Sequence, residues 1–100
     1  MQEQKNNMNP CIENEIDELE RIVGEGLLQP VFQPIVDFRT RALIGYETLI
    51  RGPQESPLQR PDALFAAARA AGLGLDLEHA CREASLRAFA RLRLPGRLFM

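Results

Sequence analysis

The sequence predicts a mixed α/β fold, and three observations carry that expectation. Two strand-like runs, Val31 to Val36 and Ala42 to Arg51, are joined by only five residues, Asp37 to Arg41. Two helical stretches follow, residues 62–71 and 76–92. Arg97-Leu98-Phe99-Met100 then reads as a further strand just beginning. A parallel crossover takes about a dozen residues or more, so the first two strands are expected to form an antiparallel hairpin.

Each element has its own local signal. Residues 1–8 (MQEQKNNM) are polar and are read as a disordered N-terminus. Asn9-Pro10 marks a helix start, Asn as the cap and Pro at the first helical position. Ile12, Ile16, Leu19 and Val23 follow at helical spacing, the carboxylates of Glu13, Glu15, Asp17 and Glu18 fall in the early turns, and Gly24 and Gly26 are the expected stop. Pro30 and Pro34 cannot donate to a ladder, so strand 1 is expected to be bulged or at an edge. Residues 52–61 (GPQESPLQRP) are a Pro-rich loop. Asp62 to Ala71 is an Ala-rich helix stopped by Gly72 and Gly74. Asp76 is expected to cap the next helix, whose Leu77, Cys81, Ala84, Ala88 and Phe89 form one apolar stripe. Residues 9–100 thus read as one unit. A strand that begins at the last residues leaves sheet edges unpaired, and the unit is read as the truncated opening part of a larger domain.

Composition excludes several function classes. A chain of 100 residues with 45% hydrophobic and 26% charged residues is an ordinary small globular domain. The formal net charge of −2 gives no reason to expect a nucleic-acid polymer or an anionic membrane surface. Residues 1–25 are acidic and residues 39–97 carry most of the arginines; a basic half can hold an anionic ligand, but scattered surface arginine is the commoner reading. Cys11 and Cys81 fit no metal spacing and are read as free thiols. The absence of an apolar leader or a membrane-length apolar run predicts a cytoplasmic segment.

The candidate site lies on strand 2. Alternation puts Glu47, Leu49 and Arg51 on one face and Tyr46, Thr48 and Ile50 on the other. Glu47 and Arg51 are about 13 Å apart along the strand and cannot easily neutralise each other. If their face is buried, each needs a partner of its own: a divalent cation for Glu47 and a phosphate for Arg51. Gln33 on strand 1 adds a donor and an acceptor if it faces the same way. From spacing alone, an exposed strand face that simply carries a Glu and an Arg accounts for the pattern too.

Residues 18–51 carry a more specific signal. Gln33-Pro34-Ile35-Val36-Asp37, a short turn, and then Gly45-Tyr46-Glu47-Thr48-Leu49-Ile50-Arg51 resemble the opening of EAL domains. The similarity continues through Pro61, Leu64, Phe65 and the helices that follow, covering about residues 15–100. It implies the N-terminal fragment of a TIM-like (β/α) barrel whose first strand is antiparallel. It also implies a bacterial signalling phosphodiesterase that hydrolyses cyclic di-GMP to linear pGpG with Mg²⁺ or Mn²⁺. By the same resemblance Glu47 is a metal ligand, Gln33, Leu49 and Arg51 contact the dinucleotide, and the complete domain is a possible homodimer. The catalytic base and the other metal ligands would lie beyond Met100. One carboxylate cannot hold two metals, so the isolated 100 residues are expected to be inactive.

Two positions depart from the family pattern: Thr48 replaces the usual Ala, and Gly52 stands where many members carry an aromatic residue. A degenerate EAL domain acting as a cyclic-di-GMP receptor or a protein-interaction module is the alternative, and an unrelated small α+β module a third. The remaining conspicuous residues read as structural: His79 on a solvated helix side, Cys81 in the core, Tyr46 and Phe32 in packing, and Arg39 and Arg41 exposed in the hairpin turn.

Overall fold

The computed structural model describes the backbone of residues 10–100 and the side chains of residues 14–100. The expectations for residues 1–8, the Asn9 cap, the Cys11 thiol and the packing of Ile12 lie outside the described residues. The elements run α1 (Pro10–Glu25), β1 (Gln29–Val36), β2 (Leu43–Arg51), α2 (Pro61–Ala71), α3 (Gly74–Leu92) and β3 (Arg97–Phe99). They build a three-stranded sheet in the order β1-β2-β3. The β1–β2 pair is the expected antiparallel hairpin, and β3 joins β2 in parallel after the excursion through α2 and α3. This is a mixed α/β arrangement compatible with a piece of a TIM-like domain. No helix among the described residues is long and apolar enough to cross a membrane.

Helix ends follow from backbone chemistry. α1 runs through Gly24, which was expected to share in the stop, and ends at Gly26, whose φ is +66°. There the Leu27 N–H donates back to the Ile22 carbonyl at 3.0 Å, closing a left-handed cap that glycine adopts without a Cβ penalty. α2 closes in the same way: Gly72 has φ +72° and the Leu73 N–H reaches the Ala68 carbonyl at 2.8 Å. That turn feeds directly into α3, with Leu73 at the cap position and no side chain capping it. Asp76 therefore does not cap α3 as expected. It sits in the first turn, where its charge still favours the helix dipole.

Among the described strands β1 lies at the sheet edge, where prolines that cannot donate to a second neighbour are tolerated, and it carries a register shift between Ile35 and Val36. The helices cover one face of the sheet. Phe89 of α3 meets Phe32 of β1 and Tyr46 of β2 edge-on, with ring centroids 5.5 and 6.0 Å apart. Behind this contact Leu19, Ile22, Leu28, Leu58, Leu64, Ala68, Leu77 and Cys81 form a continuous core. In the stripe of α3, Ala84 and Phe89 are only half-buried, and Ser85 takes a fully buried position instead. Its hydroxyl is satisfied by donating to the Cys81 carbonyl at 2.7 Å.

Gly45 is buried where β2 meets β3. A Cβ there would lie 2.5 Å from the Arg97 carbonyl oxygen and 2.7 Å from Phe99 Cε2. Gly45→Ala is expected to destabilise the fold by about 1–3 kcal/mol, because the obstacle includes backbone. Gly24→Ala, in open space inside α1, should instead stabilise by about 0.4–1 kcal/mol. Urea unfolding of the two variants beside the parent chain checks both signs.

One side-chain hydrogen bond ties α1 to the loop after β2: the Ser56 hydroxyl donates to Glu18 Oε2 at 2.7 Å. This bond, and then the Arg21 guanidinium on the other carboxylate oxygen, holds the Glu18 carboxyl below its ordinary value. Stabilisation from a depressed carboxyl is present above the ordinary range near pH 4.3 and disappears as pH falls through the lowered value. Wild type should therefore exceed Glu18→Gln in stability at pH 7, with the difference vanishing under acid. Chemical denaturation of both proteins across pH 2–7 reads it.

Candidate functional site

The hairpin turn is built by Asp37. Its Oδ1 accepts the N–H groups of Arg39 at 2.7 Å and Thr40 at 3.3 Å, while Arg41 takes a left-handed φ of +58°. The Asp37 N–H meets the Ala42 carbonyl at 2.9 Å and closes the ladder above the turn. Arg39 and Arg41 are exposed there, as expected.

The resulting register places Gln33 opposite Glu47, Val31 opposite Leu49 and Gln29 opposite Arg51. Residues directly opposite in an antiparallel pair share a face, with Cβ atoms about 5 Å apart. Gln33, Glu47, Leu49 and Arg51 thus come together on one face of the sheet, and all four are exposed. On that face no helix contributes cover among the described residues. The condition attached to this site, that a buried face would force charge partners, is not what holds: the face is open. Among the described residues Glu47 and Arg51 enter none of the ion pairs, which join Arg21 to Glu18, Arg60 to Asp62 and Arg87 to Glu83. The carboxylate and the guanidinium are both available to a ligand.

β3 adds a residue that sequence reasoning did not assign to the site. Phe99 lies opposite Glu47 on the other side of β2, and its ring edge crosses Gly45. Like Val31 and Leu49, it is an exposed apolar side chain of the sheet. Exposed apolar side chains of this kind can take a planar ring or the edge of a sugar. The signal available in the sequence was the glycine two residues before Glu47, which permits close approach by a neighbouring strand but does not say which strand.

The donor chemistry fits a divalent cation in part. Glu47 offers hard oxygen ligands, and it is the sole acid on this sheet face among the described residues. Among the described residues no group of three or more His, Cys, Asp or Glu side chains is placed to hold a metal ion. Glu47 by itself does not make a metal site. His79 lies exposed on α3, as expected for a solvated helix residue. Cys81 is buried, and burial, with the Glu78 charge adding to it, pushes its thiol up to about 11. It stays protonated at neutral pH and unreactive.

Both departures noted in the motif have structural reasons or consequences. Gly52 is buried, its N–H donates to the Gln59 carbonyl at 2.9 Å, and a Cβ on it would collide with the Leu58 carbonyl. An aromatic residue at this position would require the following loop to open. Thr48 faces the helix-covered side, away from Glu47, and its Oγ1 is buried without a hydrogen-bond partner.

Comparison with known families gives one finding: the EAL domain model matches residues 16–99. No curated protein sequence and no solved structure matches the chain.

An unpartnered buried hydroxyl costs about 1–3 kcal/mol relative to a satisfied or apolar group. Thr48→Val, nearly isosteric, is expected to raise stability by about 1 kcal/mol and to leave the open face unchanged. Thermal and urea midpoints measure the gain, and amide chemical shifts of Gln33, Glu47 and Arg51 report on the face.

Proposed function

The chain belongs to the EAL-domain family, and on that premise we propose that it forms the opening part of a domain that hydrolyses cyclic di-GMP to its linear dinucleotide. The family as a whole is tied to cyclic-di-GMP signalling. The observation that carries the reading is the shared open face on which Gln33, Glu47, Leu49 and Arg51 stand together.

The roles follow from side-chain chemistry. Arg51, at the end of β2 and in no ion pair among the described residues, grips a phosphate of the dinucleotide through charge-assisted hydrogen bonds. Gln33 donates to and accepts from polar edges of the ligand, one ladder position from Leu49, whose side chain packs against its apolar surface. Glu47 contributes one carboxylate to a Mg²⁺ or Mn²⁺ site whose other ligands come from the rest of a complete EAL domain. Bound metal in such a site lowers the pKa of water and neutralises charge on the phosphate. The chain's own part is to orient: Arg51 holds the phosphate at one end of the face and Glu47 holds its ligand position about 13 Å along the same strand.

In the complete domain, Glu47→Ala is expected to abolish turnover, because among the described residues no other carboxylate stands on this face to replace it. Arg51→Ala should weaken binding roughly ten- to hundred-fold, the worth of about 1.5–3 kcal/mol in hydrogen bonds to a charged group. Thr48→Val, on the covered face, should change neither. Calorimetric binding of cyclic di-GMP with Ca²⁺, beside a Mn²⁺ turnover assay, measures all three. Tight binding without turnover in the wild type identifies a receptor instead, and equal damage from Thr48→Val and Glu47→Ala overturns the assignment of faces.

A further inference from the structure

Arg51 is the last residue of β2, and the loop that follows begins against its backbone. That loop is internally closed. The Gly52 N–H donates to the Gln59 carbonyl at 2.9 Å, the Gln59 N–H to the Ser56 carbonyl at 3.1 Å, and the Ser56 N–H to the Pro53 carbonyl at 3.1 Å. Ser56 is its hub, because its hydroxyl also accepts the Leu58 N–H at 3.1 Å. Glu55, next to it, holds a left-handed φ of +66°, a conformation that persists in a non-glycine residue only where contacts impose it.

α1 grips this loop at two points within one turn. Glu18 takes the Ser56 hydrogen bond at 2.7 Å. Leu58, 1% exposed, is buried in the same core as Leu19 and Ile22. Among the described residues, the other side-chain hydrogen bonds join positions no more than four apart in sequence, whereas Ser56–Glu18 spans 38. The only long-range polar tie of this kind in the described structure therefore ends on the loop beside Arg51.

We propose that Glu18 and Ser56 are positioning residues for Arg51: through this hydrogen bond α1 holds the loop that fixes the backbone next to the guanidinium, and so sets its grip on a phosphate ligand. The inference rests on the functional reading above for the identity of that ligand. Its physical basis is preorganisation. Arg51 is exposed and its side chain is held by no ion pair among the described residues. The direction of its long side chain is therefore set chiefly by its backbone, which is pinned on one side by Gln29 across the ladder and on the other by the closed loop. Releasing the loop leaves the guanidinium in place chemically but spreads it over more orientations, which costs affinity.

The test is a mutant cycle in the complete domain, read by calorimetric binding of cyclic di-GMP with Ca²⁺. Ser56→Ala is expected to weaken binding about three- to tenfold, the equivalent of one ordinary hydrogen bond. Glu18→Gln, which keeps a neutral acceptor, should weaken it less and in the same direction. Ser56→Thr, which keeps the hydroxyl, should hold the affinity. In an Arg51→Ala background Ser56→Ala should cause no further loss, because its effect passes through Arg51. A merely structural role would subtract the same factor in both backgrounds, and that additive result overturns the proposal, as does unchanged affinity in Ser56→Ala. A wild-type domain that fails to bind cyclic di-GMP at all overturns the functional reading, and this inference falls with it. Binding by the wild type with additive losses removes the inference alone.

Discussion

The register of β1 against β2 is the constraint on which the candidate site depends. Gln33 opposite Glu47 and Gln29 opposite Arg51 are one register, and a slip of a single residue would turn every side chain of one strand to the other face. Two independent features prevent the slip. Asp37 closes a hairpin turn of fixed length with its own carboxylate and with Arg41 in a left-handed conformation. On the far side, Phe32 and Tyr46 are both engaged by Phe89, so a shifted strand would lose an aromatic contact and place charged groups beneath α3.

The same strand therefore serves two purposes through its period of two. Tyr46, Thr48 and Ile50 anchor β2 to the helices, and Glu47, Leu49 and Arg51 are left for the open face. The anchoring face carries one imperfection, the unpartnered Thr48 hydroxyl. Among the described residues Glu47 and Arg51 enter no ion pair, and exposed charges of this kind carry no desolvation cost.

Glycines set the limits of β2. Gly45, two residues before Glu47, allows β3 to lie close enough for the Phe99 ring to cross the glycine. Gly52, one residue after Arg51, allows the loop backbone to fold over the strand end. Both act through the absence of a Cβ facing backbone, an obstacle that cannot rotate away as a flexible side chain can. The apolar core under the loop, with Leu58 beside Leu19 and Ile22, then connects the end of the site to α1.

By itself the sequence determined what local periodicity and chain length control. Five residues between two strands require an antiparallel hairpin, alternation separates Glu47 and Arg51 from Thr48, and the helices fall within a residue or two of their expected bounds. The motif around Gln33 and Glu47 was legible for the same reason, since its parts are close in the chain and share one turn. Tertiary structure decided the contacts between distant segments: the parallel seat of β3 on β2 that brings in Phe99, the packing of Leu58 in one core with Leu19 and Ile22, and the Ser56–Glu18 tie. None of these has a periodic signature. Each depends on where separately formed elements meet, and that is settled by packing of the whole core, not by the propensity of any one stretch.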